Sequence, residues 1–272
     1  MYPLTLSING QAINVLVSEG EGPAVLLIHG NSSSAHTFIQ QLDSPLGQHY
    51  RLVAMDLPGH GASENASDPQ HSYNLPGYAE IATAVVEQLK LERPLLVGWS
   101  LGGHIVLEMV RFIPDAAGLM IYGAPPLGWP PAMADSFLPH PAMAAAFQET
   151  LNDAEATAFV QAFFHPDAPP APQSFLADVQ RTDGRARSGL AASIAPDGYT
   201  DEVQIVAQLN CPLAIVQGEH EQLVNLAYLA GLNAPTLWRN AVQIISNAGH
   251  APHWEQPEQF NTLLTEFIAA CA

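Results

Sequence analysis

The pentapeptide Gly98-Trp99-Ser100-Leu101-Gly102 directly follows the apolar run Leu95-Leu96-Val97. It places a serine between two glycines where a buried strand gives way to a helix, the form of a nucleophile elbow. The glycines carry no Cβ, so the chain can turn sharply and push the serine Oγ outward. The amides after the serine then lie at a helix N-terminus, where partial positive charge meets a developing oxyanion. A pentapeptide of this kind is common by chance, and the flanks decide. Pro94–Trp99 reads as a strand. His104–Ile113 reads as a helix, with Ile105, Val106, Met109, Val110 and Ile113 at helical spacing.

A serine nucleophile needs a base, and the base needs a carboxylate to orient it, in the chain order serine, acid, histidine. The expected base is His250, in Asn247-Ala248-Gly249-His250-Ala251-Pro252 after the last predicted strand. His253, just behind Pro252, is expected behind the site or on the surface. The expected acid is Glu221, in Gly218-Glu219-His220-Glu221-Gln222-Leu223-Val224; Glu219 competes but is nearer the strand end and is expected to point to the flank. An oxyanion hole needs two convergent donors, expected from the backbone amides of Leu101 and Asn31. Asn31 lies in His29-Gly30-Asn31-Ser32-Ser33-Ser34, where His29 is expected to brace the loop and the polar side chains suit either a substrate carbonyl or a helix cap near Ala35. Asp56 and His60, in Asp56-Leu57-Pro58-Gly59-His60-Gly61-Ala62-Ser63, read as a tight loop held by its own side chains. The eleven histidines are scattered and no metal-ligand run is present, so neither a metal nor another cofactor is expected.

The elements that must position these groups alternate. Leu4–Ile8 and Ala12–Val17 read as a hairpin around Asn9-Gly10. The runs Ala24–Ile28, Arg51–Met55, Pro94–Trp99, Gly118–Tyr122, Pro212–Gln217 and Ala241–Ser246 read as further strands. Helical patterns lie between them at Ala35–Leu42, Tyr78–Leu91, Leu101–Ile113, Leu226–Leu232 and Pro257–Ala270. Such alternation implies a mostly parallel eight-stranded sheet with helices on both faces. From 127 to 209 the alternation stops, with helical patterns at Met143–Leu151, Ala154–Phe164, Ser174–Thr182 and Glu202–Leu209. The expected organisation is therefore a core of residues 1–126 and 210–272 with a helical cap at 127–209. Trp129, Met133, Phe137, Met143, Phe147, Phe159, Phe163, Phe164 and Phe175 supply an apolar lining above the elbow, about a third of them in reach of a ligand. Trp99, Trp129, Phe137 and Met143, with Asn31 and Ser32, are the expected substrate contacts.

Composition excludes several classes. The chain has 272 residues, 48% of them apolar, and a formal charge of −18 with eight cationic side chains. Nucleic acid is excluded as a partner because phosphate binding needs clustered Lys and Arg. An anionic membrane is disfavoured in the same way, and a small acyl ester or lactone is the expected partner. Cys211 and Cys271 do not form a disulfide framework. Met1–Gly10 lacks a basic start followed by a long apolar run, so a reducing, cytoplasmic setting is expected, as a monomer or weak homodimer.

Together these strings resemble the α/β-hydrolase superfamily over about Asn9–Phe267. Several longer ones are similar to the metal-independent N-acyl-homoserine lactonases of that fold. They are Ile28–Ser34, Asp56–Gly61, Gly98–Ile105, Asn247–Pro252 and the cap string Arg181-Thr182-Asp183-Gly184-Arg185-Ala186-Arg187. The cap string gathers three of the eight cations, and salt bridging within the cap is its expected role. Those lactonases also resemble this chain in carrying Glu rather than Asp as the acid. The resemblance implies Ser100, Glu221 and His250 as the catalytic residues and an ester-bond substrate with an acyl tail. A general carboxylesterase or a C–C bond hydrolase with the same triad is the alternative. A ligand receptor that keeps the fold is a third possibility, to be recognised by tight binding without turnover.

Overall fold

The computed structural model describes residues 1–195 and 197–271. Eight strands form one sheet: β1 (Tyr2–Ile8), β2 (Gln11–Val17), β3 (Gly22–Ile28), β4 (Tyr50–Met55), β5 (Leu95–Trp99), β6 (Gly118–Tyr122), β7 (Leu213–Gly218) and β8 (Gln243–Ile245). Their spatial order is β1-β2-β4-β3-β5-β6-β7-β8. β1 and β2 pair antiparallel across Asn9 and Gly10, whose φ values of 51° and 81° give the mirror-image turn that matches strand twist. β2 meets β4 antiparallel, and every later pairing is parallel.

Side chains alternate across this sheet and divide the core into two layers. On β5, Leu96 joins one layer while Leu95, Val97 and Trp99 join the other, and all four are buried. Each such aliphatic side chain contributes about 1.5–3 kcal/mol on burial. The order also fixes where a ligand can sit. The chain leaves β3 towards β4, then returns to β5 on the opposite side of β3, which opens a crevice at the carboxyl ends of β3 and β5. Asn31 and Ser100 follow those two strand ends.

Between β6 and β7 lies the helical insert. Its main helices are Asp153–Gln161, Gln173–Arg181, Gly184–Ser193 and Glu202–Gln208. Leu127 and Glu202 tie its ends together. The Glu202 amide donates to the Leu127 carbonyl at 2.9 Å, and a Glu202 carboxylate oxygen accepts the Leu127 amide at 2.7 Å.

Two parts of the insert differ from the sequence expectation. Met143–Leu151 is not an α-helix: a 3-10 helix runs Pro141–Phe147 and the chain is extended at Gln148. The reason is Arg187, whose guanidinium takes the Gln148 carbonyl at 2.7 Å and the Glu149 carbonyl at 2.9 Å, bonds that a continuing helix would have claimed. Helix Gly184–Ser193 was not expected, because its arginines, serines and glycines give no apolar period. Asp183 starts it by accepting the Arg185 amide at 3.1 Å.

Candidate active site

Ser100 is held at φ 53° and ψ −118°, a conformation that costs a residue with a Cβ about 1–3 kcal/mol. Two backbone bonds hold it there: its amide donates to the Tyr122 carbonyl and its carbonyl accepts the Gly103 amide, both at 2.8 Å. The elbow glycines are required by close approach. A Cβ on Gly102 would fall 2.7 Å from the Ile28 carbonyl carbon, and one on Gly98 would fall 2.5 Å from the Gly103 nitrogen.

His250 and Glu221 meet on the loops after β8 and β7. His250 Nδ1 lies 2.8 Å from a Glu221 oxygen, and the other Glu221 oxygen accepts the Leu223 amide at 2.7 Å. Both side chains are buried, with 3% and 2% exposure. The Trp99 indole N–H donates to the His250 carbonyl at 2.7 Å, which fixes the loop to the elbow strand. The imidazole rests on Gly123, where φ is +62° and a Cβ would fall 2.6 Å from the His250 Cε1. Because Nδ1 is engaged by the carboxylate, Nε2 is the ring nitrogen left for the cavity that His250 and Ser100 both line. Among the described residues the Ser100 hydroxyl makes no hydrogen bond, to His250 or to any other group.

Asn31 and Leu101 line the same cavity. Among the described residues neither backbone amide has an acceptor, so two buried donors flank the serine unspent. The Asn31 side chain is committed elsewhere: its Nδ2 donates to the Ala146 carbonyl at 2.7 Å, and its Oδ1 accepts the Ser32 hydroxyl at 3.0 Å. A serine Oγ, a carboxylate-oriented imidazole and two free amides around one cavity are the parts that acyl transfer requires.

The remaining sequence expectations fall on either side of this cavity. Trp99, Phe137 and Met143 line it; Ser32 and Trp129 do not. The Ser32 backbone has φ 56°, and its hydroxyl is turned to Asn31 and to Arg187 Nη1 at 3.2 Å. Trp129 is 44% exposed and packs edge-on against Tyr199, which is the ring that reaches the cavity. Six of the nine cap residues expected as lining do line it: Met133, Phe137, Met143, Phe147, Phe159 and Phe163; Trp129, Phe164 and Phe175 do not. Sequence reasoning missed His104, Gly123 and Tyr199 in the wall. The signal for His104 was available, since it stands one helical turn after Ser100.

The competing polar residues serve the surrounding loops. Glu219 accepts the Asn247 amide at 3.1 Å. Asp56 accepts the Ala35 amide at 2.6 Å, and the Asn14 side chain and Ala62 amide at 2.8 Å each. His29 accepts the Leu57 amide at Nε2, so its Nδ1 donates to the Gly30 carbonyl; burial pushes its pKa down to about 4. His60 and His253 are pushed down to about 3, again chiefly by burial. Of the two places expected for His253, the structure shows the one behind the site: it is fully buried, 2.7 Å from Thr37 Oγ1 and packed on Trp99. In the cap string Arg185 pairs with Asp183 at 2.6 Å, as expected of an intra-cap bridge. Arg181 instead reaches out of the insert to the Ser63 carbonyl at 2.8 Å. Among the described residues no three His, Cys, Asp or Glu side chains are grouped to hold a metal ion, and no helix is long and apolar enough to cross a membrane.

The chain is similar to several known proteins. The profile of the alpha/beta hydrolase family matches residues 25–263. The N-acyl homoserine lactonase AidH, in a mutant complexed with N-hexanoyl homoserine lactone, superposes with a TM-score of 0.96 at 38% identity, covering 100% of this chain and 99% of that one. The pimeloyl-[acyl-carrier protein] methyl ester esterase of Xanthomonas axonopodis pv. citri (strain 306) is 28% identical over 92% of this chain and 97% of its own length. An esterase from Exiguobacterium antarcticum, at 19% identity and a TM-score of 0.79 over 97% of this chain and 98% of that one, shares the fold.

Proposed function

This chain belongs to the alpha/beta hydrolase family, and from that premise we propose that it opens the lactone ring of N-acyl homoserine lactones through a serine acyl-enzyme. The observation that carries this reading is the likeness to AidH along the whole chain at 38% identity. The cavity agrees with it: one reacting centre, two free amides and an apolar wall suited to an acyl tail.

In this mechanism His250 Nε2 takes the Ser100 proton as Oγ attacks the ring carbonyl carbon. The amides of Asn31 and Leu101 stabilise the oxyanion, and Glu221 stabilises the imidazolium through Nδ1. Collapse breaks the ring C–O bond, and His250 returns the proton to the departing alkoxide. The leaving alcohol stays tethered to the acyl group. His250 then activates a water that releases N-acyl homoserine and restores Ser100. The cap boundary belongs to this proposal too: residues 127–209 supply the tail-binding wall and residues 1–126 and 210–272 the chemistry.

A second reading, a carboxylic ester esterase with the same triad, is favoured by the 28% identical methyl ester esterase. One experiment separates the two. Proton release in a pH-stat is measured on N-acyl homoserine lactones of several chain lengths and on simple methyl and p-nitrophenyl esters, with Ser100→Ala as control. Serine-dependent release from the lactones is the expected result. No release from lactones, with brisk ester cleavage, overturns the lactonase reading in favour of the esterase.

A further inference from the structure

The helix that starts at the elbow carries a second histidine–carboxylate pair to the same cavity. His104 stands four residues after Ser100, one turn along helix Leu101–Met109, and lines the cavity. Its Nδ1 lies 3.0 and 2.9 Å from the two oxygens of Glu202, a side chain with no exposure. With Nδ1 held, Nε2 is the free ring nitrogen. The other polar side chains of the wall are spent: Tyr199 donates to the Gly128 carbonyl at 2.7 Å, Trp99 to the His250 carbonyl, and Asn31 to the Ala146 carbonyl. Among the described residues, His104 therefore presents the one side-chain polar atom in the wall that neither a protein partner nor the proposed mechanism uses.

The charge environment sets what that atom offers. Glu108, on the same helix, is a second carboxylate with no exposure; it faces Thr200 and is 3.6 Å from Arg111. Glu202 has His104 as its one cationisable contact among the described residues, and an unneutralised carboxylate at this depth is costly. A neutral pair has two arrangements. In one, a carboxylate faces an imidazolium, and Nε2 bears a hydrogen. In the other, the carboxylic acid donates to Nδ1, and the ring hydrogen again sits on Nε2. Burial presses Glu202 in the same direction by raising its pKa. In both neutral arrangements the cavity receives a donor, whereas a charged Glu202 beside a neutral ring, the state that Glu221 and His250 use, would leave Nε2 an acceptor.

We propose that His104, oriented by Glu202, is a specificity-determining residue that donates from Nε2 to the amide carbonyl beside the scissile ester of the substrate. The inference rests on the lactonase reading, because an N-acyl homoserine lactone carries that amide two bonds from the ring carbonyl carbon. In an otherwise apolar wall, a carbonyl without a donor is disfavoured, so the pair selects acylamino lactones over purely alkyl ones.

The test is a cycle of enzyme and substrate. kcat/KM is measured for N-hexanoyl homoserine lactone and for an α-alkyl-γ-butyrolactone of equal chain length, with wild type, His104→Leu and His104→Gln. The expected result is a fall of about 10- to 100-fold in the preference for the amide lactone in His104→Leu. Partial recovery is expected in His104→Gln, which keeps a donor near Nε2. Because preference is a ratio, general damage to the elbow helix cancels. If His104→Leu does not fold, His104→Leu with Glu202→Met removes both partners and gives the same ratio. An unchanged preference overturns the proposal. If the wild type opens neither lactone, the lactonase reading falls by itself. The same variants are then compared on p-nitrophenyl esters of an N-acylglycine and of an alkanoate, where a selective loss on the first sustains the role of His104 and an equal loss overturns it.

Discussion

The Asn31 side chain donates a 2.7 Å hydrogen bond to the Ala146 carbonyl, so the loop carrying one free backbone amide is fastened to the insert above it. Asn31→Ala keeps that amide but frees the loop and leaves the Ala146 carbonyl unpaired. The expected cost is about 1–3 kcal/mol of stability and about 10- to 100-fold in kcat, because small misplacements of a positioning group are expensive. Urea unfolding and steady-state kinetics check both. A loss of stability with full kcat would restrict the tether to holding the insert down.

Ser100 separates activity from stability. Ser100→Gly removes the nucleophile and also relieves the positive-φ strain of about 1–3 kcal/mol, less the 0.5–1 kcal/mol or so that glycine costs in backbone entropy. The expected variant is inactive, and about 1 kcal/mol more stable, which corresponds to a Tm rise of about 2–4 °C. Calorimetry beside a lactone assay reads both. An unchanged or lower Tm would mean that the turn is not strained as its dihedrals imply.

Glu221 and Glu219 are distinguished by exchange for Gln. Glu221→Gln disturbs the bond that orients His250, and a loss of about 10³–10⁴ in kcat is expected. Glu219→Gln touches the Asn247 amide and the neighbouring His220, 3.9 Å away, with at most a few-fold loss. Equal losses would show that the acid is not set by the geometry at His250.

Acid should unfold the protein through its buried histidines. The folded pKa values of His29, His60 and His253 lie at about 4, 3 and 3, below the ordinary 6.5. Below pH 6.5 the unfolded chain binds protons that the folded chain refuses, so this stability is complete above 6.5 and drains as pH falls towards 4. Asp178 opposes them: burial lifts it to about 6, so the folded chain keeps a proton that the unfolded chain releases between about 3.8 and 6. Each group contributes at most about 1.4 kcal/mol per pH unit. Glu202 and Glu255, also raised by burial, oppose the histidines in the same sense as Asp178, so the net loss near pH 5 is smaller than the roughly 4 kcal/mol per unit that three histidines alone would give. Urea midpoints at pH 7, 6 and 5 give the slope. His253→Phe is expected to flatten it by up to about 1.4 kcal/mol per unit whatever its baseline stability, and an unflattened slope would count against a histidine origin.

Arg187 supports the insert from within. The residue is 4% exposed, and its guanidinium holds the carbonyls of Gln148 and Glu149 with the Ser32 hydroxyl. Arg187→Lys offers one compact donor where a planar fork is needed. A loss of about 2–4 kcal/mol is expected, since each unpaired buried carbonyl costs about 1–3. Hydrogen exchange should accelerate first across residues 141–193. Uniform acceleration over the whole chain would contradict that placement.

Much of this architecture was legible in the sequence because its signals are local. Apolar runs marked all eight strands, Asn9-Gly10 marked the hairpin, and the elbow pentapeptide located Ser100 with its strand and helix. Glu221 and His250 were legible because both sit on short loops just past strand ends. What escaped depends on partners far away in the chain. Nothing near Gln148 announces that Arg187 will take its carbonyl and end the helix. Nothing near Trp129 says that Tyr199, rather than Trp129 itself, will face the cavity. The place of His253 after Pro252 left it either behind the site or on the surface, and nothing local decides between them, because its aromatic neighbours Phe38, Trp99, Tyr122 and Phe260 come from four other segments.

Of the 21 described residues that line the cavity, 11 lie in the insert from Leu127 to Tyr199, whereas Ser100, Glu221 and His250 all hang from strand ends of the sheet. The two parts can therefore drift separately under selection. Exchange of a methionine or phenylalanine in the insert reshapes the cavity without moving the strand ends, although Phe163, whose ring lies 5.9 Å from that of His250, is not free to change in this way. A lineage built this way can change diet without relearning its chemistry.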